Sequence, residues 1–157
     1  MDRDLVEAAQ RGDQEAYADL VRARADRLFA TVYRILRDVD RAEDALQEAL
    51  VIAWRDLPDL RDPDRFDPWI RRLLVNACLV LAVRDRRRLA NLRVLPVDGL
   101  AGPDDLISVV DRDQLERGFR RLPPDQRAIL VLRHYSGLEP TEIADVLGIP
   151  ADRKSVV

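Results

Sequence analysis

A chain of 157 residues with 47% apolar and 35% charged residues can build one ordinary domain or two small helical ones, each with a modest core. That balance argues against disorder, and a count of only 6 Gly fits a helical protein. The one cysteine, Cys78, excludes an intrachain disulfide and a cysteine-based zinc cage and suits a reducing cytoplasm; the net charge of -3 argues weakly against simple nucleic-acid binding.

From Leu5 to Leu36, apolar residues recur at helical spacing, among them Ala16, Leu20, Ala23, Leu28, Val32, Ile35 and Leu36. The pattern breaks at Gly12-Asp13, where Asp13 is the expected N-cap. A second helix is predicted from Asp40, capped with Glu43 three positions on as in a capping box, and ending by Leu57-Pro58. Its apolar stripe is Leu46, Ala49, Leu50, Ala53, Trp54 and Leu57, so that Asp44, Gln47, Glu48 and Val51 point elsewhere. Pro58 to Pro68 is rich in Asp and Pro and is predicted to be a loop. A third helix is expected from Trp69 to about Leu92.

Pro96, Gly99, Gly102 and Pro103 mark a linker over residues 93–110, which separates a larger domain, 1–92, from a small one, 111–157. The small domain is predicted to hold a helix from about Arg112 to Arg121, a break at Leu122-Pro123-Pro124-Asp125, and a second helix over 125–135. A short helix, Thr141 to Leu147, follows and ends at Gly148-Ile149-Pro150. Thr141, Glu142, Ile143, Ala144 and Gly148 then form the first half of a helix-turn-helix. The fold class is all-α.

The near-neutral total hides a strong segregation of charge. Residues 38–67 hold ten acids and four arginines, whereas residues 71–93 hold seven arginines and one aspartate. Such neighbours suit a segment facing a basic protein followed by one facing DNA. The longest apolar run, Leu73 to Val83, is broken by Asn76 and reaches about half of the length that spans a bilayer, so no membrane insertion is expected. Met1-Asp2-Arg3-Asp4 leads into a helical pattern, unlike a secretion signal.

The order of these features resembles the sigma-70 family of RNA polymerase sigma factors, in its extracytoplasmic-function subgroup, across almost the whole chain. Gly12-Asp13-Gln14-Glu15-Ala16-Tyr17 is similar to the family's opening helix pair. Ala42-Glu43-Asp44-Ala45-Leu46-Gln47-Glu48 with Ala53-Trp54 resembles its polymerase-binding helix. Phe66-Asp67-Pro68-Trp69-Ile70, Asn76-Ala77-Cys78 and Arg84 to Arg88 resemble the promoter-opening segment. Leu122-Pro123-Pro124-Asp125-Gln126-Arg127, with Gly137-Leu138 and Glu142-Ile143-Ala144, resembles the start of the carboxy-terminal domain. The linker leaves no room for the middle domain of primary sigma factors, which favours the smaller subgroup.

Asp44, Gln47 and Glu48 stand at i, i+3 and i+4 and share one helix face free of core duty. The resemblance implies that this face docks on the clamp helices of the largest subunit of core RNA polymerase, carboxylates against arginines. Arg71, Arg72, Arg84, Arg86, Arg87 and Arg88 can hold phosphates through planar, permanently charged forks. An exposed Asn76 can both donate to and accept from a base edge. In the family this position contacts an unpaired base of the minus-ten element, captured after melting. Val80 stands where family members often carry a polar or acidic residue. Trp69 is expected in the core, Cys78 as an inert buried thiol, and His134 as a surface or half-buried packing residue. No phosphate-cradling glycine loop or serine nucleophile motif is present, so neither catalysis nor a cofactor is expected.

In intact relatives a basic recognition helix for the minus-thirty-five element follows the glycine turn. Here Ile149-Pro150-Ala151 runs into Asp152-Arg153-Lys154-Ser155-Val156-Val157, which is what a common ligated sequencing adapter would encode. The expectation is a carboxy-terminally truncated helix-turn-helix, its last six residues either a non-native tail or the end of a naturally truncated protein. The resemblance further implies promoter DNA and an anti-sigma factor as partners. The rival reading is a helix-turn-helix regulator that binds duplex DNA without polymerase; a third is a pure interaction domain.

Overall fold

The computed structural model describes residues 2–92 and 107–148, with side chains over 2–87 and 112–148. Most of the expected linker, the side chain of Arg88 and everything after Gly148 lie outside the described residues.

Seven α-helices are present among the described residues: α1 (Asp2–Gln10), α2 (Gln14–Leu36), α3 (Val39–Asp56), α4 (Phe66–Leu92), α5 (Ile107–Arg121), α6 (Pro124–His134) and α7 (Pro140–Leu147). The break between α1 and α2 falls where the sequence places it. Gly12 takes φ 97°, a conformation that costs a residue with a Cβ, and the Asp13 carboxylate accepts from the Ala16 N–H at 3.2 Å. The cap of α3 differs from expectation. Asp38, not Asp40, is the N-cap and accepts from the Arg41 N–H at 3.1 Å, because the chain leaves α2 through a single left-handed residue, Arg37, and turns at once. Pro58 to Pro68 is not an open loop. It contains two 3-10 turns, Leu57–Asp59 and Pro63–Arg65, and α4 begins at Phe66 rather than Trp69. Pro68 fits inside the first turn of α4, where a backbone N–H has no helical partner to lose. At the other end of the expected linker, residues 107–110 already belong to α5.

The apolar stripes also rotate relative to prediction. On α2, Ala23 of the predicted stripe is exposed, and its neighbour Arg24 is buried. On α3 the fully buried side chains are Ala42, Ala45, Ala49 and Ala53, with Leu46, Leu50 and Trp54 only half-buried along the edge. An all-alanine seam lets α3 lie close against α2 and α4. Two clusters result. One gathers Val6, Leu20, Ala53, Leu57, Phe66 and Ile70 at the α1 end. The other runs from Val32, Ile35 and Ala49 through Leu74 and Cys78 into Ala128, Leu132 and Ile143. The small carboxy-terminal unit therefore packs on the larger amino-terminal one and shares its core.

Candidate polymerase and nucleic-acid interfaces

Arg24 organises the amino-terminal half. Its side chain is only 7% exposed, its Nε donates to Asp67, its Nη2 to Asp2 at 2.9 Å and its Nη1 to the Leu20 carbonyl at 3.1 Å, with the guanidinium over the Phe66 ring. Burial pulls its pKa down, but the Asp67 and Asp2 carboxylates more than offset this and the net shift is upward. One residue thus ties α1, α2 and the start of α4 together. The sequence reading missed it, although its place four residues after Leu20 and four before Leu28 was a usable signal.

Asp44 and Gln47 are exposed on α3, and Glu48 is half-buried beside them. The helix is held from behind by Tyr17, whose ring packs on Trp54 with centroids 5.1 Å apart and whose hydroxyl donates to the Leu50 carbonyl at 2.6 Å. Burial pushes the Tyr17 hydroxyl up to about 12, so it stays a donor at any physiological pH. Between α3 and α4 the two charged groups meet: Glu48 lies 4.0 Å from Arg84, and Arg41 lies 3.1 Å from Asp85. The sequence assigned Glu48 and Arg84 to separate partners. In the fold they are neighbours on one edge.

On α4, Arg72, Asn76, Arg84, Arg86 and Arg87 are exposed, and Arg71 is half-buried. The opposite side holds Leu74, Val75 and Cys78, all essentially without solvent contact. Burial pushes the Cys78 thiol up to about 12, which makes it inert as a nucleophile near neutral pH. Trp69, expected in the core, is half-buried against Phe66 at the edge of the amino-terminal cluster, while His134 is exposed. Arg71 and Arg72 share a crevice of about 410 Å³ with Glu142 and Asp145 of α7.

In the carboxy-terminal unit, α6 and α7 each start with a proline at the first helical position. Leu138 is buried between them, and its N–H donates to the Leu132 carbonyl at 2.9 Å. Ile143 and Ala144 are buried, Thr141 and Glu142 are exposed, and α7 ends at Gly148 in the left-handed conformation with φ 67°. A short helix and the glycine turn that ends it are therefore in place.

The family model described as Sigma-70 region 2 matches residues 20–89, and the one described as Sigma-70, region 4 matches residues 112–152. The chain belongs to the sigma-70 family. It is similar to the RNA polymerase sigma-H factor of Pseudomonas aeruginosa, at 30% identity over 95% of this chain and 83% of the relative. The ECF RNA polymerase sigma factor SigM of Mycobacterium tuberculosis is 31% identical over 94% of this chain and 74% of its own. SigW of Bacillus subtilis, also an ECF sigma factor, is 26% identical over 92% and 84%. Among solved structures, CnrH in complex with the cytosolic domain of CnrY superimposes with a TM-score of 0.64 at 25% identity, covering 97% of this chain and 86% of that one. The chain is thus an RNA polymerase sigma factor of the extracytoplasmic-function group, acting in transcription initiation.

Two further residues of this sigma factor, Arg37 and Glu116, went unread in the sequence, and Arg127 was read only as part of a motif. Arg37, at φ 59°, is the one described non-glycine residue with positive φ. Its guanidinium makes two hydrogen bonds to Glu116 of α5, one of them 2.7 Å long, and lies 5.6 Å from both the Tyr33 and Phe119 ring centroids. Regions 2 and 4 are joined there by a charged clasp. Arg127 stands close by, with a buried Nε that has no hydrogen-bond partner among the described residues. Its pKa is lowered by burial first and then by repulsion from Arg120, Arg86 and Arg37.

Proposed function

We propose that residues 1–92 of this sigma factor bind core polymerase and the minus-ten DNA, that 93–110 act as linker, and that 111–157 carry a partial helix-turn-helix. Asp44, Gln47 and Glu48 dock on the clamp helices of the largest subunit. Arg71, Arg72, Arg84, Arg86, Arg87 and Arg88 hold phosphates, and Asn76 captures an unpaired base of the melted strand. No covalent step is needed: capture of the single strand offsets the cost of opening the duplex, and the factor is not an enzyme. Thr141, Glu142, Ile143, Ala144 and Gly148 form the first helix and turn of the upstream reader.

The observation that carries this reading is the edge where α3 meets α4. An exposed acidic face and an exposed basic one adjoin through Glu48 and Arg84, so one body can hold the polymerase and the strand beside it. No helix among the described residues is long and apolar enough to cross a membrane, which supports a cytoplasmic place of action. The seating of CnrH with the cytosolic domain of CnrY supports a protein restraint, an anti-sigma factor, for this chain as well.

Retention on immobilised core polymerase tests the reading. The wild type is expected to be retained, and the Asp44→Arg, Glu48→Arg double variant to lose at least tenfold in affinity, since two attractive contacts become repulsive. Equal retention would refute the docking face, and DNA binding without any polymerase binding would favour a free-standing helix-turn-helix regulator.

A further inference from the structure

Along α4, Arg72, Asn76, Val80, Val83 and Arg87 follow one another at steps of four, four, three and four residues. At 3.6 residues per turn these steps keep all five within a strip less than about a quarter-turn wide. All five are exposed, Val80 by 45% and Val83 by 49%. Exposed valines scattered singly need no explanation, but these two are neighbours at i and i+3 and make one apolar patch. They add nothing to the core, and a β-branched residue is not chosen for helix propensity. The patch lies between Asn76 on one side and Arg87 on the other, with Arg84 at its flank.

Charge identifies the occupant. Arg87 has no ion pair with a described carboxylate and Arg84 has only the 4.0 Å approach of Glu48, while Arg72, farther along, shares its crevice with Glu142 and Asp145, so the cations beside the two valines are largely uncompensated. That combination suits a polyanion carrying apolar groups at base spacing. Thymine is the base that presents a methyl group beside an acceptor oxygen, whereas cytosine presents an amino donor and no methyl. One helical turn separates Asn76 from Val80, a rise of about 6 Å, so a base held by Asn76 has its neighbour over the valines.

We propose that Val80 and Val83 form a thymine-methyl contact on the DNA-facing side of α4 and set the preference for thymine at one position of the opened strand. The proposal rests on the reading of α4 as the face that binds that strand.

The test uses the 157-residue protein bound to core RNA polymerase, with a random single-stranded DNA library as probe. Each thymidine of the enriched sequence is then replaced by deoxyuridine, which lacks only the methyl group. The wild type is expected to lose about fourfold in affinity at one position, the worth of one buried methyl group. In Val80→Asn with Val83→Ser the ratio of thymidine to deoxyuridine binding is expected to fall to about one, with the helical circular dichroism unchanged because neither side chain is in the core. Equal binding of the two oligonucleotides by wild type, an enriched sequence without thymine, or an unchanged ratio in the variant overturns the proposal. Asn76→Ala with Arg84→Ala separates it from the reading beneath it: undiminished DNA binding by that variant refutes the DNA face itself, whereas weaker binding beside a wild type indifferent to the methyl refutes the valine contact alone.

Discussion

Replacing Glu116 by Gln tests how regions 2 and 4 hold together. The carboxylate is bonded to Arg37 of region 2 and, at 3.0 Å, to Arg120 on its own helix, while Arg127 stands close enough to repel both of these cations. Gln keeps the volume and one acceptor but removes the negative charge that Arg37 and Arg120 share. A hydrogen bond to a charged partner contributes about 1.5–3 kcal/mol when sheltered and an exposed ion pair about 0–1 kcal/mol. With Arg37 24% and Glu116 33% exposed, the Arg37–Glu116 coupling falls between them, at about 1–2 kcal/mol. Urea denaturation of wild type, Arg37→Gln, Glu116→Gln and the double variant isolates that coupling. The pH dependence adds an independent check. Hydrogen bonding from Arg37 lowers the Glu116 pKa against the opposing pull of burial, so its stabilisation is fully present above the unfolded value of about 4.3. It is lost as the pH falls through the lower folded value, and Glu116→Gln should flatten this acid limb. A coupling below about 0.3 kcal/mol, together with an unchanged acid limb, would show that the shared apolar core alone joins the two regions.

Two further outcomes follow from buried groups. Arg24→Met keeps the stem volume but removes the bonds to Asp2, Asp67 and the Leu20 carbonyl; unfolding free energy should drop by about 1.5–3 kcal/mol, measured by denaturant titration. Because both carboxylates are themselves more than half exposed, they return to water, and a larger loss would mean that Arg24 also sets the packing of α1. Cys78, buried with its thiol pushed up to about 12, should react with a thiol reagent only as fast as the protein opens, and rapid labelling under native conditions would contradict the packing of α4.

Much of the local structure was legible because it depends on neighbours in the chain. The break at Gly12-Asp13, the proline start of α6 and the glycine end of α7 are all read from residues within one turn of each other. So was the acidic face on α3, since i, i+3 and i+4 positions share a side whatever the helix packs against. The cap at Asp38 was misplaced because Asp40 offers the same chemistry two residues later; the left-handed Arg37 decides between them, and its guanidinium finds its partner only in α5.

By itself the sequence determined an all-helical chain, the separation of an acidic from a basic segment, and the order of motifs that marks the family. Tertiary structure alone decided that Arg24 rather than Ala23 faces inward, that four alanines rather than the leucines form the buried seam of α3, and that Glu48 meets Arg84. It alone brought Arg37 to Glu116 across 79 positions and merged the cores of regions 2 and 4. The physical reason is common to all of these. Helical periodicity defines which residues share a face, but the angle at which a face meets its neighbours is set by helix crossing, and a long side chain such as arginine can bury its stem wherever carboxylates wait at the far end.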